Sequence, residues 1–145
     1  MKYSLANYIL SIESNDPTIK SMFGTISVGG QGSAIGSVTA ALKDDQWTTD
    51  SFATGAWVHN KNMSRVGTMT VSLSQVSKEI SKFIKMCELY YGGDYEGFTL
   101  SVSDISGAKI CTGVDAYIQK IPAQEFAASA AQQSWTFTCG QISFN

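Results

Sequence analysis

From Thr68 to Ser74 the chain alternates without a break: Met69, Val71 and Leu73 interleave with Thr68, Thr70, Ser72 and Ser74. Successive side chains of a strand point to opposite faces, so the segment reads as a strand with one apolar and one hydroxyl face. Phe98, Leu100 and Val102 repeat the device against Thr99, Ser101 and Ser103. Strands of this kind need a core on one side only, which is the habit of antiparallel sheets.

Other segments share the period. Tyr8, Leu10 and Ile12 give a first strand, Asp16-Pro17 a turn, Phe23 to Val28 a second strand and Ile35 to Leu42 a third. Asp104-Ile105-Ser106-Gly107 is a hairpin turn, after which Lys109 to Lys120 returns. Trp135, Phe137 and Cys139 set the last strand; the apolar phase then moves to Ile142 and Phe144, which predicts a bulge at Gly140. A single stretch has helical spacing: Val76, Ile80, Phe83, Ile84, Cys87 and Tyr91 predict a helix over about 76–91, stopped by Gly92-Gly93. Its outer side carries Lys78, Lys82, Lys85, Glu79 and Glu88, a solvated or subunit-facing surface. The expected fold is mainly β: an antiparallel β-sandwich or partly rolled barrel with one flanking helix, in a single domain over 1–145.

Two stretches read as loops. Residues 43–65 set Trp47, Phe52 and Trp57 among polar residues, and a loop that long is uncommon unless functional or partly stranded. Residues 123–133 are rich in Ala and Gln and suit at most a short helical turn.

Composition narrows the function. Charged residues are 15% of the chain against the roughly 25% of ordinary soluble domains, and Ser plus Thr supply about a fifth. Depleted charge permits extensive subunit contact. The net charge of −2 argues against a basic clamp for nucleic acid. No run approaches the ~20 apolar residues of a membrane span, and the N-terminal apolar stretch, broken by Ser4 and Asn7, lacks a signal-peptide cleavage site. The expectation is a soluble protein made in the cytoplasm, without membrane insertion.

Catalytic chemistry finds no foothold. Cys87, Cys111 and Cys139 with His59 give a Cys₃His inventory, but no Cys-x₂₋₄-Cys pair suits zinc; buried free thiols are expected. His59 has no Gly-x-Ser-x-Gly elbow to serve. Gly30-x-Gly32-x-x-x-Gly36 is one residue too long for a dinucleotide fingerprint and leads into a strand, and no phosphate-loop Gly-Lys-Ser/Thr occurs. Asp44, Asp45 and Asp50 lack calcium-loop spacing. No enzyme, cofactor or metal is expected. Trp47 and Trp57 leave one rival of a different class, a carbohydrate-binding β-sandwich that stacks sugars on these rings.

Certain strings resemble a known family: Tyr8-Ile9-Leu10-Ser11-Ile12, Phe23 to Gly30, Ala53 to Asn62, Arg65 to Ser72 and Ser134 to Gly140. They are similar to the tail tube proteins of contractile-tailed bacteriophages, over nearly the whole chain. The resemblance implies a structural virion protein, assembled in the host bacterial cytoplasm, whose hexameric rings stack into the inner tail tube that conducts DNA to the host cell. About four strands per subunit would join one inner barrel. About 24 strands at ~4.8 Å then give a diameter near 37 Å before tilt, room for duplex DNA. Implied partners are further copies of itself, the tail sheath, the baseplate or tube initiator, and the tape measure protein, with double-stranded DNA in non-specific transit. A tube of a phage-like contractile injection or secretion system would share the fold and differ in cargo.

On that resemblance the strand faces Thr68, Thr70, Ser72, Ser74 and Thr99, Ser101, Ser103 are candidates to line the lumen, with Asp44, Asp45 and Asp50 as nearby charge. Trp47, Phe52, Trp57, His59 and Asn60 are candidates for contacts between rings or subunits.

Overall fold

The computed structural model describes residues 3–29 and 35–145. Met1 and Lys2, and with them Gly30 and Gly32 of the glycine cluster, lie outside the described residues. After a single 3-10 turn the order is β1 (Tyr8–Ser14), α1 (Pro17–Phe23), β2 (Thr25–Gly29), β3 (Ile35–Leu42), β4 (Trp47–Ser51), β5 (Trp57–Lys61), β6 (Gly67–Ser74), α2 (Glu79–Gly92), β7 (Phe98–Asp104), β8 (Lys109–Ile118) and β9 (Gln132–Phe144).

Seven strands make one antiparallel sheet, β2-β1-β7-β8-β9-β6-β3, and β4-β5 form a separate ribbon. The large sheet curls into a half-barrel, the partly rolled form of the two expected. Tyr8 on β1 and Val38 and Ala40 on β3 line one cleft with Val102, Cys111 and Phe144, so strands near opposite edges approach each other across the concave side. The alternation in the sequence maps onto this curl. Leu10, Ile12, Ile26, Val28, Met69, Val71, Leu73, Leu100, Trp135 and Phe137 are buried on the concave face. The hydroxyl residues of β6 and β9 face away.

Helix α2 fills the curl. Phe83 is fully buried between Trp135 and Phe137, with ring centroids 5.4 and 6.0 Å away. Farther along, Tyr90 stacks on Phe98 at 5.3 Å and donates its hydroxyl to the Glu96 carbonyl at 2.5 Å. The helix starts three residues later than the spacing suggested. Val76 sits in the turn after β6, and Val76 and Tyr91 are exposed rather than part of the buried stripe of Ile80, Phe83, Met86 and Cys87.

Two local expectations are corrected. Asp16-Pro17 opens a short helix, not a turn into a strand. The Asp16 carboxylate accepts from the Thr18 N–H at 2.9 Å, Pro17 takes the first helical position, and Gly24 at φ 63° closes the helix on the Lys20 carbonyl. Phe23 thus belongs to α1, and β2 begins at Thr25. Residues 123–131 contain no helical turn.

The phase change near Gly140 is present and is shared with its neighbour. β8 and β9 keep one register from Cys111↔Phe144 to Ile118↔Phe137, while β8 slips by one against β7 between Phe98 and Leu100. Asp115, at φ 52°, sits at the slip and packs against Gly140. Both strands change phase together, which bends the sheet where β8 and β9 run side by side.

Candidate functional site

No cleft among the described residues gathers reactive groups, so the candidate site is a set of surfaces. Among the described residues no three His, Cys, Asp or Glu side chains are placed to hold a metal, and no helix is long and apolar enough to cross a membrane. The three cysteines are free and buried. Burial pushes the thiols of Cys87 and Cys139 up to about 11, with Glu88 and Cys111 adding to the effect in turn, and burial raises Cys111 as well.

The first surface is the ribbon. The expected long loop is largely stranded: Trp47↔Lys61, Thr48↔Asn60, Thr49↔His59, Asp50↔Val58 and Ser51↔Trp57 pair antiparallel, and Phe52 enters the turn that closes them. Every residue of β4 and β5 is exposed, so this arm is held by its own ladder and its roots. Alternation puts Trp47, Lys61, Thr49, His59, Ser51 and Trp57 on one face. There Thr49 Oγ1 and His59 Nδ1 lie 2.8 Å apart, and the Lys61 ammonium stands over the Trp47 ring at 5.6 Å. On the other face Asn60 donates to Asp50 at 2.8 Å. Sequence reasoning found the aromatic residues but not the ribbon that presents them. Thr48, Val58 and the Gly55 turn were its only signal, since a strand with two wet faces carries no apolar alternation.

The second surface is the convex side of β3, β6 and β9. Ser37, Ser72 and Ser134 form one cross-strand row, Thr39, Thr70 and Thr136 the next, and Ala41, Thr68 and Thr138 a third. Thr70 and Thr136 hydroxyls meet at 3.3 Å, and Ser72 donates to Gln132 at 3.1 Å. These rows hold no charged residue.

Thr99, Ser101 and Ser103 occupy β7, in the other half of the curl, beside Glu13, Ser11 and Ile9 of β1. Charge is present there: Glu13 pairs with Lys20 at 2.5 Å. The two hydroxyl faces that the sequence suggested as one lumen lining belong to one sheet, in which β8 and β9 stand between β7 and β6. Asp44 and Asp45 lie at the root of the arm and Asp50 on β4, so none joins either face. Asp44 shares a cleft with Gln46, Lys61 and Arg65.

The chain exposes 9048 Å², about 1,800 Å² more than the roughly 7,200 Å² expected of a compact monomer of its mass. The arm leaves Trp57 at 66% and Phe52 at 55% exposure, an apolar surface of the kind that marks an interaction site.

Comparison with solved structures finds the same fold in components of contractile machines. The chain is similar to a chain of the extended PVC sheath-tube complex of an extracellular contractile injection system (TM-score 0.58, 15% identity, all of this chain and 92% of that one). It is also similar to the PVC sheath/tube terminator (0.56, 15%, 100% and 97%) and to the tube-terminating cap of the anti-feeding prophage (0.55, 12%, 100% and 93%). At such identities the likeness concerns the fold. No curated protein matches the sequence significantly.

The sequence itself settles the family. The model of the bacteriophage PhiTE tail tube protein matches residues 9–145, and the chain belongs to that family. It is a structural tail tube protein, as the resemblance in its strands implied.

Proposed function

We propose that six copies of the chain close into a ring, that rings stack head to tail through the β4-β5 arm, and that the resulting bore conducts double-stranded DNA. The observation that carries the bore is the uncharged hydroxyl face of β3, β6 and β9. Each Lys or Arg facing passing DNA would release counterions and add affinity, slowing transit. Rows of Ser and Thr keep water at the wall and hold no phosphate. With β8 these strands make four contiguous members of the sheet, the share that a ring of about 24 strands requires.

Thr99, Ser101 and Ser103, on β7 and outside those four strands, face outward in this arrangement, toward the sheath. Asp44 and Asp45 at the arm root border the bore where one ring meets the next, and mild repulsion there keeps DNA off the joint. Trp47, Phe52, Trp57, His59 and Asn60 contact the adjacent ring. Sheath, baseplate or tube initiator and tape measure protein are the remaining partners, and the assembled tail in the virion is the place of action, after assembly in the host cytoplasm. The fold likeness to an injection-system tube favours one second reading, a tube of the same build carrying protein cargo.

Electron microscopy of the purified protein tests the proposal. Hollow six-fold rings or tubes whose wall carries Thr70 and Thr136 are the expected result. A solved assembly without a bore, or with the β3-β6-β9 face buried against a neighbour, would falsify it.

A further inference from the structure

Residues 119–131 join β8 to β9 without regular structure, yet they are tied down. Gln75 Nε2 donates to the Glu125 carbonyl at 2.5 Å, the Ala131 N–H donates to Gln75 Oε1 at 3.2 Å, and Gln133 Nε2 donates to Gln124 Oε1 at 3.1 Å. Held this way, the segment presents Phe126 at 91% exposure next to the start of α2. A large aromatic side chain fixed in water on a tethered segment is a knob without a hole.

At the same end of the sheet, by the last turns of α2, lies a groove of about 130 Å³ lined by Met86, Cys87, Tyr90, Phe98, Ile118 and Lys120. A cavity of ~150 Å³ with apolar walls accommodates one benzene ring, so the volume suits a phenyl side chain. From Glu79 to Tyr91 the helix axis covers about 18 Å, which keeps a Phe126 anchored at Gln75 out of its own groove. Charge is complementary as well. Lys120 lines the groove and Glu125 precedes the knob, and neither enters an ion pair among the described residues.

We propose that Phe126 of one copy seats in this groove of the next copy around the ring, with Glu125 against Lys120. The assignment rests on the tube reading above and adds the contact that closes a ring. Knob and groove are different patches of one subunit, the heterologous arrangement that generates a ring when its rotation closes.

Two single variants, Ala127→Cys beside the knob and Gln119→Cys at the groove wall, each in a Cys87→Ala background because Cys87 lines the groove, are mixed, assembled and treated with a short bis-maleimide; Cys111 and Cys139 are buried away from the groove. A cross-linked dimer containing one of each variant is expected. The double variant is expected to give a ladder ending at the copy number of one ring. Phe126→Ala, at a position where the fold loses nothing, should raise the critical concentration for assembly by at least about tenfold with an unchanged melting temperature. Tubes that form without the cross-link, or a double variant linked only within single chains, overturn this contact and leave the tube reading standing. A wild-type chain that never assembles overturns both.

Discussion

Trp135 shows how much a single side chain settles. It is fully buried in β9, packs on Phe83 of α2 and lies across from Val71 of β6. Trp135→Ala should cost about 3–5 kcal/mol, read as a lower urea midpoint at unchanged m-value. Gly67 is constrained for the opposite reason. A Cβ there would lie 2.2 Å from the Ala41 carbonyl oxygen and 2.7 Å from Ile142 Cδ1. Gly67→Ala must therefore spread β3 from β6, and loss of soluble, folded protein is the expected outcome on expression. The thiols make a pH prediction. Cys87 and Cys139 titrate in the unfolded chain near 9 and in the fold near about 11. The unfolded state thus releases protons first, so their contribution to stability is complete below pH ~9 and is lost as pH rises toward 11. Denaturant midpoints measured from pH 8 to 11 should fall steadily, and a Cys87→Ala, Cys139→Ala chain should show a shallower decline. These residue effects follow from the apolar faces of the strands and of α2, the part of this molecule most open to reading from sequence.

Among the elements, legibility tracks how many faces touch the core. β6, β7 and β9 were evident because one face is apolar and one is not. α1 was missed because its seven residues bury Ile19 alone, too short for any period to register. Asp-Pro at its start and Gly24 at its end were nevertheless a complete set of helix signals. The start of α2 was placed too early because Val76, exposed in the turn, falls by chance at helical spacing. The arm was anticipated for its aromatic residues, not its strands. Its independence from the core makes a clean experiment. Replacing residues 44–64 by a short Gly/Ser linker should leave the melting temperature within a few degrees, while abolishing stacks of rings in electron micrographs. Trp57→Ala should act in the same direction, with a folded monomer and impaired tube growth.

For the whole molecule the relevant variable is the neutrality of one convex face. Thr70→Lys places a cation in the second of its three rows without touching the core. Tubes are expected to form normally, but their retention of duplex DNA should become salt-dependent, with the slope against log salt steepening by about 0.9 for each phosphate engaged. A lysine there that leaves DNA passage unchanged at low salt would place the bore elsewhere. This property was only half readable. Composition announced a chain poor in charge, but not the strand order that sets β8 and β9 between β6 and β7.

The arm leaves from the end of the sheet where β3 finishes and β6 begins, whereas α1, α2 and residues 119–131 gather at the other. In the proposed tube, a column of such subunits has two chemically unlike tips. One tip offers ribbons and the other offers helices, so each new layer can join in a single orientation. A factor shaped to bind either tip alone would start the column or end it, and the length between them would be dictated from outside the repeating unit.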